Sequence, residues 1–394
     1  MTAAASETTL RLAREIEPWM IRIRRRLHQC PELLYELHET SQIVREELDR
    51  LEIAFESGIA ETGIVATIGH DESRCVMLRA DMDALPIQEL ADVDFKSNNV
   101  GRMHACGHDC HTAMLLGAAR ILKQRESSLK GTVKLCFQPA EEGGAGAQRM
   151  CEEGVMRSPA VQKAFAIHVW PLIPSGQLTG RPGVFLAATS AFEIKITGQG
   201  GHAALPHLAN DPVMAAARIV TGVQTLISRE QDPLEAGLVS ITAINGGTAY
   251  NVIPTDVTIK GTIRSLSVAN KDRLKLRIGE IARTLAAADH CTAEFVAVGT
   301  DYPVTANDPK LWEDVVGMGE RIVGKGNVPI SSAVMGGEDF SYYGAFVPTC
   351  FLGLGCRSES AGSVHGLHHP QFKMDESVLH IGAALHVSFV NEQL

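Results

Sequence analysis

A short stretch in the first third of the chain concentrates side chains that could bind a metal. Residues 103–111 read Met-His-Ala-Cys-Gly-His-Asp-Cys-His, so three histidines, two cysteines and one aspartate lie within eight positions. Cys106 and His108 are two residues apart, so one extended loop can bring both side chains to the same ion. Thiolate, imidazole and carboxylate together suit zinc, manganese or cobalt, and they differ from the closed cysteine-rich sets of structural zinc sites.

A pair of adjacent carboxylates, Glu141 and Glu142, follows an apolar run at residues 133–137 and precedes the glycine-rich residues 143–146. Two like charges at the end of a buried strand are costly unless a cation lies nearby. One carboxylate can bind a metal while the other acts as general base, which is the division of labour of a two-metal hydrolase. We therefore expect Glu141 and Glu142 to belong to the same site as the histidine-rich stretch.

The elements that position these residues read as short apolar strands alternating with helices. Strands are predicted at residues 63–68, 76–79, 133–137 and 164–168, and a helix at residues 112–124. This pattern predicts an α/β fold, with a mostly parallel sheet covered by helices on both faces. The histidine-rich stretch is expected in the loop entering the helix, and Asp81 and Asp83 at the end of the second strand, where open α/β sheets bind ligands.

The pattern changes near residue 187. Residues 187–299 follow the order β-α-β-β-α-β, which predicts a ferredoxin-like domain. After residue 300 the α/β pattern returns, with a helix at 311–322, a strand at 349–354 and a helix at 376–389. We expect a catalytic domain made of residues 1–186 and 300–394, interrupted by an inserted lid and dimerisation domain at 187–299. Near the start of the chain, residues 8–27 are predicted to form a single helix.

Composition limits the partners and the compartment. The formal net charge of −10 argues against nucleic acid or an anionic membrane as a partner. Charged residues interrupt the first 17 positions, and no apolar run reaches the length of a membrane span, so we expect neither a signal peptide nor a membrane anchor. Nine cysteines, an odd number in a long chain, favour reduced thiols and a cytoplasmic protein.

Eight segments, in order along nearly the whole chain, resemble one family. It is the dinuclear metallo-amidohydrolase family of aminoacylases and carboxypeptidases, in particular its hippurate hydrolases, bacterial N-acyl-amino-acid amidohydrolases and plant auxin-conjugate hydrolases. The resemblance implies a phosphorylase/hydrolase-like metallopeptidase catalytic domain. The segments are LHQCPEL (27–33), RADMDALP (79–86), MHACGHD (103–109), QPAEEG (138–143), GGHAALPH (200–207), NVIP (251–254), GGEDF (336–340) and LHHP (367–370).

The resemblance implies a ligand set for two divalent metal ions per subunit, Mn²⁺ or Zn²⁺ and otherwise Co²⁺ or Ni²⁺. Cys106 stands where other branches of the family have a bridging aspartate, so it is the expected bridge between the two ions. Asp83 is expected to orient a ligating ring, a role that Asp81 or Asp109 could also fill. The expected ligands are Cys106, His108, Glu142, His168 and His368.

Carried over in the same way, Glu141 is the general base and His202 stabilises the oxyanion, often from a partner subunit in this family. Asn251 and Arg264 are expected to bind the free carboxylate of the amino-acid part of the substrate. His104 and His111 are expected to shape the loop instead of binding metal.

These residues predict a metal-dependent amidohydrolase that cleaves N-acyl amino acids, such as hippurate-like conjugates, to a carboxylic acid and a free amino acid. The expected assembly is a homodimer or higher homo-oligomer formed through the inserted domain. One alternative is an N-acetyl-amino-acid deacetylase acting on N-acetyl-diaminopimelate, N-acetylcysteine or a related intermediate. Another is a non-catalytic binding protein that keeps the fold and one metal. A dipeptidase would need a site for a free amine, which the sequence does not indicate.

Overall fold

The computed structural model describes residues 3–394, which divide into two compact units. The first unit runs through Phe185 and resumes over Ala306–Ser332 and Asp339–Leu394. The second unit comprises Leu186–Thr305 and Ala333–Glu338. The predicted domain boundaries and the lid and dimerisation roles stay predictions.

Fifteen strands and nine α-helices lie within the described residues, besides several short 3₁₀ turns. The strands are β1 Ala54–Ile59, β2 Gly63–Ile68, β3 Cys75–Asp81, β4 Thr132–Gln138, β5 Lys163–Pro174, β6 Leu178–Thr179, β7 Gly183–Leu186, β8 Ala188–Thr197, β9 Gly201–His202, β10 Gly237–Asn245, β11 Val252–Ile253, β12 Asp256–Ser265, β13 Thr292–Tyr302, β14 Thr305–Asn307 and β15 Thr349–Arg357. The helices are α1 Ala3–Glu15, α2 Glu17–His28, α3 His38–Arg50, α4 His108–Gln124, α5 Gly146–Glu152, α6 Pro212–Thr225, α7 Val268–Ala288, α8 Pro309–Val323 and α9 Leu379–Gln393.

The first unit is built on a seven-stranded sheet with the order β1-β2-β4-β3-β5-β15-β6. Its four middle strands, β4, β3, β5 and β15, are parallel, and the outer strands pair antiparallel. The middle strands are almost wholly buried, because continuous apolar runs can face helices on both sides of the sheet. This confirms the predicted α/β fold with a mostly parallel central sheet.

Helix α4 is the central helix of the first unit, and it packs against α2 and α9. Two glycines allow the close approach: a Cβ on Gly117 would overlap Met20, and one on Gly382 would overlap Met114. Small residues therefore set the distances between these helices, and the packing fixes where α4 begins, next to the histidine-rich stretch.

Two local predictions were wrong. Helix α4 begins at His108, so His108 to His111 form its first turn instead of the loop before it. The predicted helix at residues 8–27 is two helices, because Pro18 lies in the first turn of α2 and cannot continue the hydrogen bonds of α1.

The second unit contains a four-stranded antiparallel sheet with the order β10-β12-β8-β13. Helices α6 and α7 pack on it, and along β8 and β12 buried, mostly apolar residues alternate with more exposed polar residues. Along the chain these elements follow the order β-α-β-β-α-β, interrupted by the short strands β9 and β11. The assignment of this unit as a ferredoxin-like domain stays a prediction.

No helix among residues 3–394 combines the length and the apolar character needed to cross a membrane.

Candidate metal centre

The chemistry-bearing side chains of the first unit come from four separate places in its chain. Cys106 lies just before α4 and His108 opens that helix, whereas Glu142 follows β4. His168 belongs to β5, and His368 lies between β15 and α9. Ends of parallel strands meet at one edge of a sheet, and the loops there are the usual place for a site in α/β proteins.

The backbone at three of these places adopts a left-handed conformation. Gly107 has φ of +84°, and a Cβ there would meet a methyl group of Val169. Ala140, just before the glutamate pair, has φ of +57°, and His368 has φ of +62°. Non-glycine residues with positive φ carry strain and cluster at functional sites. The amide of His368 donates to the carbonyl oxygen of Ala105 at 2.8 Å, which joins the late loop to the Cys106 segment.

The structure brings the five expected ligands together in two overlapping groups. Cys106, His108 and His168 form one group, and Cys106, Glu142 and His368 form the other. Within each group the potential ligand atoms lie within 4.8 Å of one another. Cys106 Sγ is 3.5 Å from His168 Nε2, and Glu142 Oε1 is 3.3 Å from His368 Nε2. Cys106 belongs to both groups, and its expected role as the bridge between two ions stays a prediction that this geometry supports.

Contacts outside these two groups orient the imidazoles. His168 Nδ1 donates to the carbonyl oxygen of Val169 at 2.7 Å, which leaves the lone pair of Nε2 facing Cys106. His108 Nδ1 lies 3.4 Å from Asp83 Oδ1, and its Nε2 lies 3.6 Å from Asp81 Oδ2. Carboxylates placed in this way fix the ring orientation of metal-binding histidines.

Asp83 also holds the glutamate pair. It is 1% exposed, and its two carboxylate oxygens accept from the backbone amides of Glu141 and Glu142, each at 3.0 Å. One side chain thus positions both the expected base and one expected ligand, while it also faces His108. Its expected role as an orienting group stays a prediction, and the geometry supports it.

His111 has no free lone pair, because both of its ring nitrogens are used. Nδ1 lies 2.5 Å from Asp81 Oδ1, and Nε2 accepts from the amide of Val169 at 2.9 Å. His104 is also buried, and burial lowers its pKa to about 3. Neither ring nitrogen of His104 has a hydrogen-bond partner among residues 4–394.

The electrostatic environment favours a positive charge at the position of His108. Burial alone would lower the pKa of His108, but Asp81, Asp83 and Glu142 around it raise that pKa to about 10. Burial, assisted by His111, lowers the pKa of His168 well below its usual range. Burial and the two glutamates raise the pKa of the Cys106 thiol. The carboxylates around the cluster therefore leave it short of positive charge.

Two features of the cluster fit divalent metal ions. Within the described chain, His108 is wholly buried and neither of its ring nitrogens makes a hydrogen bond, an expensive arrangement for a polar side chain with no ligand. The donor set is one thiolate, three imidazoles and one carboxylate, which suits borderline transition metals. The residues that would hold two ions are Cys106, His108, Glu142, His168 and His368.

Glu141 lies beside this cluster, and its expected role as general base stays a prediction. It is 7% exposed, and one of its oxygens shares a group with His108 and Glu142. Its Oε1 is 3.4 Å from the amide nitrogen of Asp339. Its neighbour Glu142 is directed towards His368, so the two adjacent carboxylates serve different partners.

The remaining expected site residues belong to the second unit. His202 lies in β9, where it is the register partner of Val252, and the backbone carbonyl oxygen of Asn251 accepts from the amide of Ala203 at 3.0 Å. Both line a surface depression of about 640 Å³. Arg264 lies in β12, opposite Thr189 of β8, and next to Gly337. The roles of these three residues stay predictions.

Sequence reasoning missed Arg79, which is buried in β3 and contacts three polar side chains of the first unit. A signal was available, since Arg79 interrupts the apolar strand Cys75–Asp81. A charged residue in a strand buried on both faces needs partners there.

Comparisons with known proteins agree with this geometry. The model of Peptidase family M20/M25/M40 matches residues 77–392. The chain is 41% identical over 389 residues to IAA-amino acid hydrolase ILR1-like 4 of Arabidopsis thaliana, covering 98% of this chain and 88% of that relative. It is 37% identical over 367 residues to N-acetyl-L-cysteine deacetylase of Bacillus subtilis (strain 168), covering 92% of this chain and 85% of that relative.

A solved structure adds the fold and the metal content of a relative. The YXEP protein of Bacillus subtilis, described as a dinuclear metal binding peptidase from the M20 family, superposes with a TM-score of 0.81 at 32% identity. The match covers 97% of this chain and all of that one. The family model spans most of the chain and the relatives span nearly all of it, so this protein is a member of Peptidase family M20/M25/M40.

Proposed function

We propose that this protein is a metal-dependent amidohydrolase that cleaves N-acyl amino acids to a carboxylic acid and a free amino acid. The observation that carries the proposal is the arrangement of Glu141 beside two groups of ligand atoms that share Cys106. Relatives named for the hydrolysis of IAA-amino acids and the deacetylation of N-acetyl-L-cysteine support this substrate class.

Two divalent ions at this cluster would supply Lewis-acid polarisation of the scissile carbonyl and a water whose pKa is lowered towards neutrality. The protein's own contribution begins with Glu141, whose carboxylate accepts a proton from the attacking water. The new carbon–oxygen bond forms first and gives a tetrahedral intermediate. Glu141 then returns the proton to the amine nitrogen, and the amide carbon–nitrogen bond breaks as the carbonyl re-forms and the amine leaves. Asp83 keeps the Glu141 backbone in place during both transfers.

The second unit would supply the groups that recognise the substrate. His202 would donate a hydrogen bond to the oxyanion, reaching the site from a partner subunit, and Arg264 with Asn251 would bind the substrate carboxylate. These roles follow from the resemblance to the family.

The test of the function is amino-acid release from hippurate and from a panel of N-acetyl and N-aromatic-acyl amino acids. EDTA-treated protein is assayed alone and after addition of Mn²⁺, Zn²⁺, Co²⁺ or Ni²⁺. We expect one of these ions to restore release, and the ion that restores most identifies the preferred metal. Preference for N-acetylcysteine or N-acetyl-diaminopimelate would establish the deacetylase alternative. Tight substrate binding without release under any ion would contradict the proposal and favour a non-catalytic binding protein.

Glu141→Gln tests the proposed base. The amide keeps the size of the side chain but cannot accept the proton, so we expect kcat to fall by about 10²–10⁴-fold with both metals still bound. Elemental analysis of the dialysed protein measures the metal content. Glu152→Gln, at an exposed position of α5, is the matched control and should keep full activity. Undiminished turnover in Glu141→Gln would remove Glu141 from the mechanism.

We also propose a homodimer formed through the second unit, and a cytoplasmic location. Strands β10 and β13 are the two edges of its four-stranded sheet, and such edges are available for pairing with a second copy. The cytoplasmic location is supported by the cysteines, because all nine are buried free thiols, which suits a reducing compartment.

The proposed dimer can be tested in solution. Light scattering on the purified protein measures the assembly, and a monomer at micromolar concentration would contradict it.

A further inference from the structure

A buried arginine, Arg79, contacts a carboxylate that faces the candidate metal centre. Arg79 is in the middle of the parallel sheet of the first unit and is 2% exposed. Burying a guanidinium costs several kcal/mol unless it is fully paired. The mechanism proposed above does not use Arg79, so the reason for burying a charged side chain here has to be sought in the partners of Arg79.

The three nitrogens of Arg79 donate to three different side chains. Nε donates to Gln138 Oε1 at 2.8 Å, Nη1 to Asp81 Oδ2 at 2.7 Å, and Nη2 to Asp339 Oδ1 at 2.8 Å. Asp81 and Gln138 end neighbouring parallel strands, whereas Asp339 begins a 3₁₀ turn much later in the chain. One planar group therefore fixes the relative positions of three segments.

We call the contacts that run from Arg79 through Asp81 the first arm, and they lead to the imidazoles of His111 and His108. Asp81 accepts from Arg79 through Oδ2, and its Oδ1 lies 2.5 Å from His111 Nδ1. The same Oδ2 lies 3.6 Å from His108 Nε2. Arg79 thus holds the same Asp81 oxygen that faces His108.

The contacts that run from Arg79 through Asp339 form the second arm, and they lead to the proposed base, Glu141. The carboxylate of Asp339 accepts from Arg79, from Gln138 Nε2 at 2.8 Å and from the amide of Ala147 at 2.9 Å. These contacts fix the residue whose own amide nitrogen lies 3.4 Å from Glu141 Oε1. Arg79 thereby acts on Glu141 through the backbone of Asp339.

We infer that Arg79 is a positioning residue that sets the distance between the general base Glu141 and the metal-binding imidazole of His108. The inference rests on the proposed function and extends it, because it names a group that touches neither substrate nor metal. The guanidinium presents its donors in a fixed plane, and a lysine ammonium, which is a single flexible point charge, cannot reach Asp81 and Asp339 together with the same directions.

The first test is Arg79→Lys, which keeps the charge and removes the planar fork. The apoprotein is titrated with Co²⁺ in competition with a chelator, and the absorption spectrum of the Co²⁺ form reports the geometry of the ligands. We expect Co²⁺ affinity to fall about 10–100-fold with an altered spectrum. In the presence of the ion that best restores amino-acid release to the wild type, we expect the kcat of Arg79→Lys to be about 100-fold lower than that of the wild type, while KM changes less than about threefold.

Lys134→Met is the matched control. Lys134 is a cation of the adjacent strand β4, 4% exposed, and its ammonium donates to the carbonyl oxygens of Val155 and Arg157, away from the centre. This variant also loses contacts of a buried cation, so its stability should fall while its Co²⁺ spectrum and kcat stay as in the wild type. A wild-type spectrum and kcat in Arg79→Lys, or the same changes in Lys134→Met, would overturn the inference.

A second variant separates the two arms and guards against misfolding of the first. Asp339→Asn keeps the shape of the side chain but weakens the bonds to Arg79 and Ala147. We expect kcat to fall at least about tenfold with the Co²⁺ spectrum unchanged, since only the arm to Glu141 is altered. Unchanged kcat would overturn the inference even if Arg79→Lys did not fold. Should the wild type release no amino acid, the proposed function fails, whereas the Co²⁺ titration of Arg79→Lys still decides the arm to His108.

Discussion

Buried histidines of the first unit hold protons over very different pH ranges, because each has different charged neighbours. Carboxylates raise the pKa of His108 to about 10, whereas burial lowers that of His386 to about 3. His386 lies in α9 with its ring edge-on to Phe165 at a centroid distance of 5.5 Å. Its Nδ1 has no hydrogen-bond partner in the described part of the chain. His386 is therefore a neutral core side chain with an acid-sensitive ring.

This environment predicts a loss of stability in acid. The unfolded chain protonates His386 below pH ~6.5, whereas the folded chain resists protonation down to about pH 3, so stability decreases as pH falls through this range. Between pH 7.5 and pH 5 the expected loss from this one residue is about 2 kcal/mol. His386→Leu should lack it. Urea unfolding of both proteins at the two pH values, with EDTA present throughout, measures the difference.

The exposed His70 supplies the control, because its side chain is 88% exposed. His70→Leu should lose stability in acid to the same extent as the wild type. If His386→Leu also did so, His386 would not be the source of the acid sensitivity.

The candidate metal ligands and the candidate base were easier to find in the sequence than the residues that hold them in place. Cys106, His108, Glu141 and Glu142 lie close together in short motifs, so their chemistry is visible locally. Arg79 pairs with Asp339, 260 positions later, and such a pair is visible only once the chain has folded. The distance in sequence, not the residue type, hid the role of Arg79.

Among the secondary-structure elements, helix α4 depends on the left-handed residue at its start. Gly107 turns the chain between Cys106 and His108, and a Cβ there would overlap Val169 of β5. Gly107→Ala should therefore shift this turn, cost about 1–3 kcal/mol of stability and weaken metal binding. Thermal unfolding of the apoprotein and titration with Zn²⁺ measure the two effects.

Gly101→Ala is the matched control for the backbone strain. Gly101 has φ of +76°, but its Cβ would meet nothing within 4 Å among the described residues. Gly101→Ala should lose stability only because alanine is strained at a positive φ, and it should keep wild-type Zn²⁺ affinity. Equal Zn²⁺ affinity in both variants would show that the contact with Val169 does not set the position of the ligands.

The sequence predicted those elements best whose burial leaves a simple pattern. Strands β3, β4 and β15 are almost wholly buried and mostly apolar, and short apolar runs of this kind are typical of parallel strands. Strand β1 was missed because it lies at the sheet edge and is mostly exposed, which gives no alternation to read. The start of α4 was misplaced because its first turn consists of His108, Asp109, Cys110 and His111, residues that resemble a polar loop.

Across the whole molecule, the two units are expected to respond differently to metal. All five candidate ligands belong to the first unit, and the second unit contributes none of them. A ligand that binds only the folded state stabilises it, by about 2.7 kcal/mol at a concentration of 100 times Kd. Adding Mn²⁺ or Zn²⁺ to the apoprotein should slow amide hydrogen exchange in β3, β5 and β15 and leave exchange in β8 and β12 unchanged.

His368→Ala provides the comparison for this experiment. It removes one candidate ligand of the group that contains Glu142, so the protection gained from the metal should decrease in the first unit. Equal protection in β8 and β12 on metal addition would contradict the assignment of the whole ligand set to the first unit.

The order of the ligands along the chain has a consequence for biosynthesis. Cys106, His108, Glu142 and His168 leave the ribosome before the second unit is made, whereas His368 follows all of it. Strand β15, the neighbour of β5 in the sheet, is also made late, so β5 awaits its partner while about 180 further residues are translated. A nascent chain thus carries an incomplete set of the expected ligands until His368 has been translated. The expected group of Cys106, Glu142 and His368 can therefore form only after the whole second unit has been translated.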